Sequence, residues 1–187
     1  MSEITKKALT ASLKKLLVEK SLDKVTIVDI TEDCGVNRQT FYYHFQDINA
    51  MIEWIYHYEA TKALGGKKTY DTWQQGFLQI FNYVLENKVF VIRTYHSSSF
   101  NNLQEYLYNE TFALLYAVIE EKSGHMRVRE DDKQFIANFY KFAFVGLMLA
   151  WVDQGMMEKP EVIIERLSTL LQGDLFLALE RFRTDHA

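Results

Sequence analysis

Leu9, Leu13, Leu16 and Leu17 recur at helical spacing among lysines, which predicts an amphipathic first helix ending near Ser21. The next stretch, Val25-Thr26-Ile27-Val28-Asp29-Ile30, is β-branched and admits a strand. Thr26 with Asp29 three residues later fits a helix N-cap, however, and Ile27, Ile30 and Cys34 then share one face, so helix is the better reading. Gly35 supplies a sharp break and Asn37 caps a third, short helix through Phe45. Two short helices joined by a turn of about three residues make the helix-turn-helix pattern. Asp47 or Asn49 then opens a longer helix carrying Met51, Ile52, Ile55 and Tyr58, with Gly65-Gly66 as its stop.

Helical patterning continues to the C-terminus. Trp73, Phe77, Ile80, Phe81 and Val84 form one apolar stripe, Val89 to Tyr95 a short segment, and His96-Ser97-Ser98-Ser99 a break or helix cap. Leu103, Tyr106, Leu107, Leu114, Leu115 and Val118 mark a long helix ending near Ser123-Gly124. Residues 131–151 and 161–182 predict the last two helices, with Pro160 suited to a first turn. The expected architecture is all-α: a three-helix unit with the helix-turn-helix over residues 1–47 and an all-helical domain over 48–187.

Composition sharpens this outline. Eight glycines and one proline in 187 residues leave few tight turns, which favours long helices. The net charge of −4 opposes a surface basic throughout, but residues 1–24 carry an excess of three positive charges, and residues 1–50 hold seven bases and seven acids. The acidic surplus therefore belongs to the C-terminal part. With one cysteine, Cys34, no intrachain disulfide can form, and Lys14 and Lys15 interrupt any signal-like apolar segment. The longest apolar run, Phe142 to Val152, is shorter than the roughly 20 residues that span a bilayer and reads as a buried core helix. A cytoplasmic protein without membrane contact is the expectation.

On the third helix, Phe41 and Phe45 fall four apart and face inward, leaving Arg38, Gln39, Thr40, Tyr43 and His44 largely outward. Arginine pairs with guanine and glutamine with adenine in the major groove, while Thr40, Tyr42 and His44 suit phosphate oxygens. Arg38, Gln39 and Tyr43 are thus the candidates for base edges. Thr26, at the start of the second helix, offers a hydroxyl beside free amides where phosphate is favoured.

These residues carry a resemblance. Thr26-x3-Ile30-x3-Cys34-Gly35-Val36-Asn37-x2-Thr40-Phe41-Tyr42-Tyr43-His44-Phe45 resembles the DNA-binding head of the TetR family of transcriptional regulators. Cys34 stands where the family usually has alanine, and Ile48 where many members have a phosphate-contacting lysine. Asp47-Ile48-x3-Ile52-Glu53-Trp54-Ile55, Tyr95-His96-Ser97 and Phe139-Tyr140-Lys141-x2-Phe144-Val145-Gly146-Leu147 resemble the subgroup that includes activators of dihydroxyacetone kinase operons. The resemblance implies a homodimer whose two heads read a palindromic operator in double-stranded DNA and whose last two helices pair with their mates. Most of the family represses and is released by a small-molecule effector. The subgroup implies activation with a kinase-like protein partner. Ile48 and the neutral head also leave open a helical interaction or sensor module that does not read DNA.

The remaining candidates divide between core and site. Trp73, Tyr95, Tyr106, Tyr140, Phe144 and Trp151 line a ligand pocket on one reading and are plain core on the other. Gly146 and Ala150, four apart on a bulky helix, permit close helix approach, and with Leu167, Leu171 and Leu175 they are the expected dimer interface. His44, His57, His96, His125 and His186 show no metal-binding spacing, and Glu130-Asp131-Asp132 reads as an acidic first helical turn. No catalytic constellation, cofactor or metal is expected.

Overall fold

The computed structural model describes residues 2–64, 72–171 and 173–185. The Gly65-Gly66 stop lies outside them. Helices follow one another as α1 (Ser2–Glu19), α2 (Ile27–Cys34), α3 (Arg38–His44), α4 (Ile48–Leu64), α5 (Trp73–Glu86), α6 (Lys88–Tyr95), α7 (Phe100–Ser123), α8 (Glu130–Asp153), α9 (Pro160–Leu171) and α10 (Asp174–Arg181). The fold is all-α. The β-branched run at Val25 to Ile30 resolves as the start of α2, because Thr26 and Asp29 form a reciprocal capping box that satisfies two orphan donors.

The helices form two compact units, and these do not follow the expected boundary at residue 47. One unit joins residues 1–59 with 87–106; the other joins 60–86 with 107–187. In the first, Leu9, Leu13 and Leu17 of α1 are fully buried together with Ile30, Phe41, Met51, Ile52 and Ile55. The reason α6 belongs to this unit is partly polar. Arg93 Nε donates to the Leu17 carbonyl at 3.0 Å, near the end of α1, and Lys14 Nζ donates to both Glu59 and the Asn87 side chain. Apolar contact completes the attachment, since the Tyr56 ring lies 5.1 Å from Phe90 and 5.2 Å from Tyr106. The expected break at His96 to Ser99 is confirmed, and its serines are bonded into this unit: Ser98 donates to Asp23 and Ser99 to Asn49.

In the second unit, Phe77 of α5 stacks on Phe144 of α8 at 4.2 Å, and Phe81 packs on Trp151. The run from Phe142 to Val152 is core on one side only. Phe144, Val145, Met148, Trp151 and Val152 are buried, whereas Phe142 and Leu147 are exposed. The single helix expected over 161–182 is also divided. Gly173 adopts φ 84, in the left-handed region where an L side chain is disfavoured, and separates α9 from α10. Beyond α10, Val128 and Arg183 form an isolated antiparallel bridge that ties the C-terminal segment to the α7–α8 connection.

Candidate functional site

The placement of α3 is set by backbone chemistry. Gly35 closes α2 at φ 70, its amide bonding back to the Thr31 and Glu32 carbonyls. Two residues later Asn37 caps α3, its Oδ1 accepting from the Thr40 amide at 2.8 Å. Phe41 is fully buried and Phe45 nearly so, which fixes the rotation of α3 about its axis. At about 100° per residue, Arg38, Tyr42, Gln39 and Tyr43 then spread over a contiguous outer arc of roughly 140°. Thr40 and His44 follow on its flank. Tyr43 is 82% exposed and Tyr42 58%.

Arg38 and Gln39 are exposed, and neither side chain engages a hydrogen bond or ion pair among the described residues. Their donors are available to base edges. The two threonines are differently placed. Thr40 Oγ1 donates to Asn37 Oδ1, and Thr26 Oγ1 donates to Asp29 Oδ2 while accepting from the Asp29 amide. Each hydroxyl therefore holds a helix end in the free protein and has to redirect its hydrogen to reach phosphate. Ile27 and Val28, whose amides precede the first intrahelical bonds of α2, stand beside Thr26. Asp29 completes this corner: Lys20 first, then the backbone and hydroxyl of Thr26, hold its carboxyl down to about 2.

Most lysines of residues 1–24 are engaged in intramolecular ion pairs, three of them with acids beyond that stretch. Lys7 pairs with Glu3, Lys14 with Glu59, Lys15 with Asp33 and Lys20 with Asp29. Lys6 instead lies over the Phe45 and Trp54 rings. Lys24, exposed just ahead of Thr26, has no ion pair among the described residues. Ile48, at the first position of α4, brings no charge.

The expected pocket aromatics separate. Trp73, Tyr140 and Phe144 line a cavity of about 650 Å³ in the second unit. Tyr95 and Tyr106 belong to the first unit, where Tyr106 is buried against Tyr56 and Tyr95 meets Phe100 edge-on. Trp151 is core, its indole N–H donating to the Glu158 carbonyl at 2.8 Å. The Tyr140 hydroxyl, pushed up by burial and then by Asp174, is pulled the other way by Arg181. Leu171 and Leu175, expected at a subunit interface, line this cavity, and Leu167 of the same expectation is buried. Gly146 and Ala150 are exposed on α8, on a face continued by Phe135, Phe139, Phe142 and Leu147.

Comparison with known proteins places both halves. Residues 9–55 match the family model described as bacterial regulatory proteins of the tetR family, and residues 71–173 match one described as a transcriptional regulator C-terminal region. The chain is 25% identical over 156 residues to the HTH-type dhaKLM operon transcriptional activator DhaS of Lactococcus lactis subsp. lactis (strain IL1403), covering 82% of each chain. A solved structure of a dihydroxyacetone kinase operon activator DhaS superposes with a TM-score of 0.74 at 21% identity, over 97% of this chain and 99% of that one. NalD, the secondary repressor of the MexAB-OprM multidrug efflux pump in Pseudomonas aeruginosa, gives 0.62 at 16% identity over 98% and 100%. With a capped helix-turn-helix in the segment matched by the first model and a helical C-terminal region matched by the second, the chain belongs to the TetR family of DNA-binding transcriptional regulators, not to a family of enzymes.

Proposed function

We propose that the protein is a cytoplasmic homodimer that binds a palindromic operator through α3 and activates a dihydroxyacetone kinase operon in concert with a kinase-like protein partner. The observation that carries DNA reading is the outer arc of α3, where Arg38, Gln39 and Tyr43 are exposed and the first two have no partner among the described residues. Thr26, Thr40, Tyr42 and His44 surround that arc and serve the phosphates. The dihydroxyacetone assignment draws on the likeness to DhaS, which is an activator of the dhaKLM operon in its own organism. Pairing of subunits is supported by α8, whose Phe135, Phe139, Phe142, Gly146, Leu147 and Ala150 form an exposed apolar face at helical spacing. A second reading, a repressor released by a small ligand, is favoured by the cavity beside Tyr140 and Phe144.

A binding titration on the promoter DNA adjoining the protein's own gene, at two salt concentrations, tests the proposal. Specific binding that weakens as salt rises is the expected result. Equal affinity for that DNA and for a scrambled duplex overturns it. In vitro transcription from the same promoter, with and without added protein, separates activation from repression by the sign of the change.

A further inference from the structure

The geometry points to Lys24 as the residue that docks the N-terminal unit onto a backbone phosphate of DNA, acting together with Thr26. The charges of residues 1–50 lead to it. Of the seven lysines and arginines in that stretch, Lys7, Lys14, Lys15 and Lys20 are held in ion pairs, and Lys6 lies over the Phe45 and Trp54 rings. Lys24 and Arg38 are exposed and have no ion pair among the described residues. Arg38 belongs to the outer arc of α3, where base edges are read. Lys24 is left to serve the phosphates.

Its backbone is fixed by one tight turn over Leu22–Lys24. The Lys24 amide donates to the Ser21 carbonyl at 3.0 Å and the Val25 amide to the Leu22 carbonyl at 2.9 Å. Val25 (φ −82, ψ 131) and Thr26 (φ −108, ψ 160) are then extended, so residues 24 and 26 project to one side while Val25 is buried on the other. Two extended residues separate their Cα atoms by roughly 7 Å, a gap that a lysine side chain covers. The ammonium, the Thr26 hydroxyl and the first amides of α2 thereby share one edge. Neighbouring acids are engaged elsewhere: Asp23 accepts from the Ser98 amide and hydroxyl at 3.4 and 3.2 Å, and Asp29 is paired with Lys20 at 2.8 Å. The start of α4 offers no equivalent. Ile48 is uncharged, and the Asp47 carboxylate accepts from the Ala50 amide at 2.8 Å, placing a negative charge there. Backbone attraction is thus concentrated at the α2 edge.

The inference rests on the proposed binding of operator DNA through α3, and the test separates the two. Full-length wild-type protein, Lys24→Ala and Lys24→Arg are titrated by fluorescence anisotropy across a salt series, on the promoter DNA adjoining the protein's own gene and on a scrambled duplex. Lys24→Ala should lower the steepness of log affinity against log salt by about 0.9 for each N-terminal unit bound. It should weaken both duplexes by the same factor with the melting temperature unchanged, and Lys24→Arg should keep the wild-type slope. A methylphosphonate scan of the operator, removing one backbone charge at a time, then locates the contact. At one phosphate per half-site, Lys24→Ala should cause no further loss, because the pair is already broken. An unchanged slope in Lys24→Ala, a loss confined to the operator, or additive losses at every phosphate overturns the role of Lys24. Equal wild-type affinity for the two duplexes overturns sequence reading by α3, and a slope that still falls in Lys24→Ala then supports the phosphate contact by itself. Absence of wild-type binding to either duplex overturns both.

Discussion

Gly35 occupies a left-handed conformation, and a Cβ built on it meets nothing within 4 Å. The cost of Gly35→Ala is therefore conformational and not steric, about 1 kcal/mol, and should appear as a lower denaturation midpoint with an unchanged m-value. Arg38 tests the opposite kind of residue, one that contributes little to folding. Arg38→Ala should leave the melting temperature in place and cost about 1–3 kcal/mol against the operator, with relaxed preference at one base pair. Binding measured across a set of singly substituted operators checks both parts. Asp29 links charge to folding. Its carboxyl is held below the unfolded value of 3.8 by Lys20 and Thr26, so its contribution is present above that value and is lost as pH falls toward about 2. Acid unfolding followed by circular dichroism should show a shallower loss over that interval in Asp29→Asn. Residues of this kind were legible from local sequence, because a cap and its partner are three positions apart.

Elements were legible wherever apolar period and capping chemistry agreed. The α2 segment shows this: its β-branched composition favours a strand, and the Thr26–Asp29 box decides for helix. The division between α9 and α10 was missed because Leu167, Leu171 and Leu175 keep a four-residue spacing across it, although Gly173 before Asp174 is a stop and start signal. Lysine partners were beyond local reading. Lys14 meets Glu59 and Lys15 meets Asp33, at separations that only the folded helices define. The aromatic residues of the C-terminal half divided for a similar reason, since hydrophobicity alone does not tell a cavity wall at Phe144 from a core position at Trp151. An element-scale consequence concerns Thr26. Thr26→Ala removes the cap of α2 and should cost about 1 kcal/mol of stability together with operator affinity, whereas Thr26→Ser should preserve the cap. Comparing the melting temperatures and operator affinities of the two variants shows how far affinity follows the cap.

For the whole molecule, the decisive surface in the proposed dimer is α8. Phe139 is 63% exposed at the middle of its apolar face. Phe139→Asp should yield monomers in sedimentation equilibrium and a strong loss of operator affinity, while the helical content of each chain is kept. Charge at this scale is also predictive. With Lys7, Lys14, Lys15 and Lys20 paired internally, few cations are left to displace counterions from DNA. The plot of log affinity against log salt should be less steep than the slope of roughly −10 given by a contact-rich basic repressor.

The first unit draws its core from two stretches separated by residues 60–86, and that has a consequence for its autonomy. Tyr56 loses the rings of Phe90 and Tyr106 if the chain is cut after residue 59, and the end of α1 loses the Arg93 donor. Exposure of that one aromatic side chain costs about 1.5–3 kcal/mol, a large share of what a fragment of such length can muster. Residues 1–59 alone should thus make a poorly stable unit. A chimera that grafts residues 1–59 onto a foreign dimerisation domain should therefore fold poorly, and one that also carries 87–106 should recover.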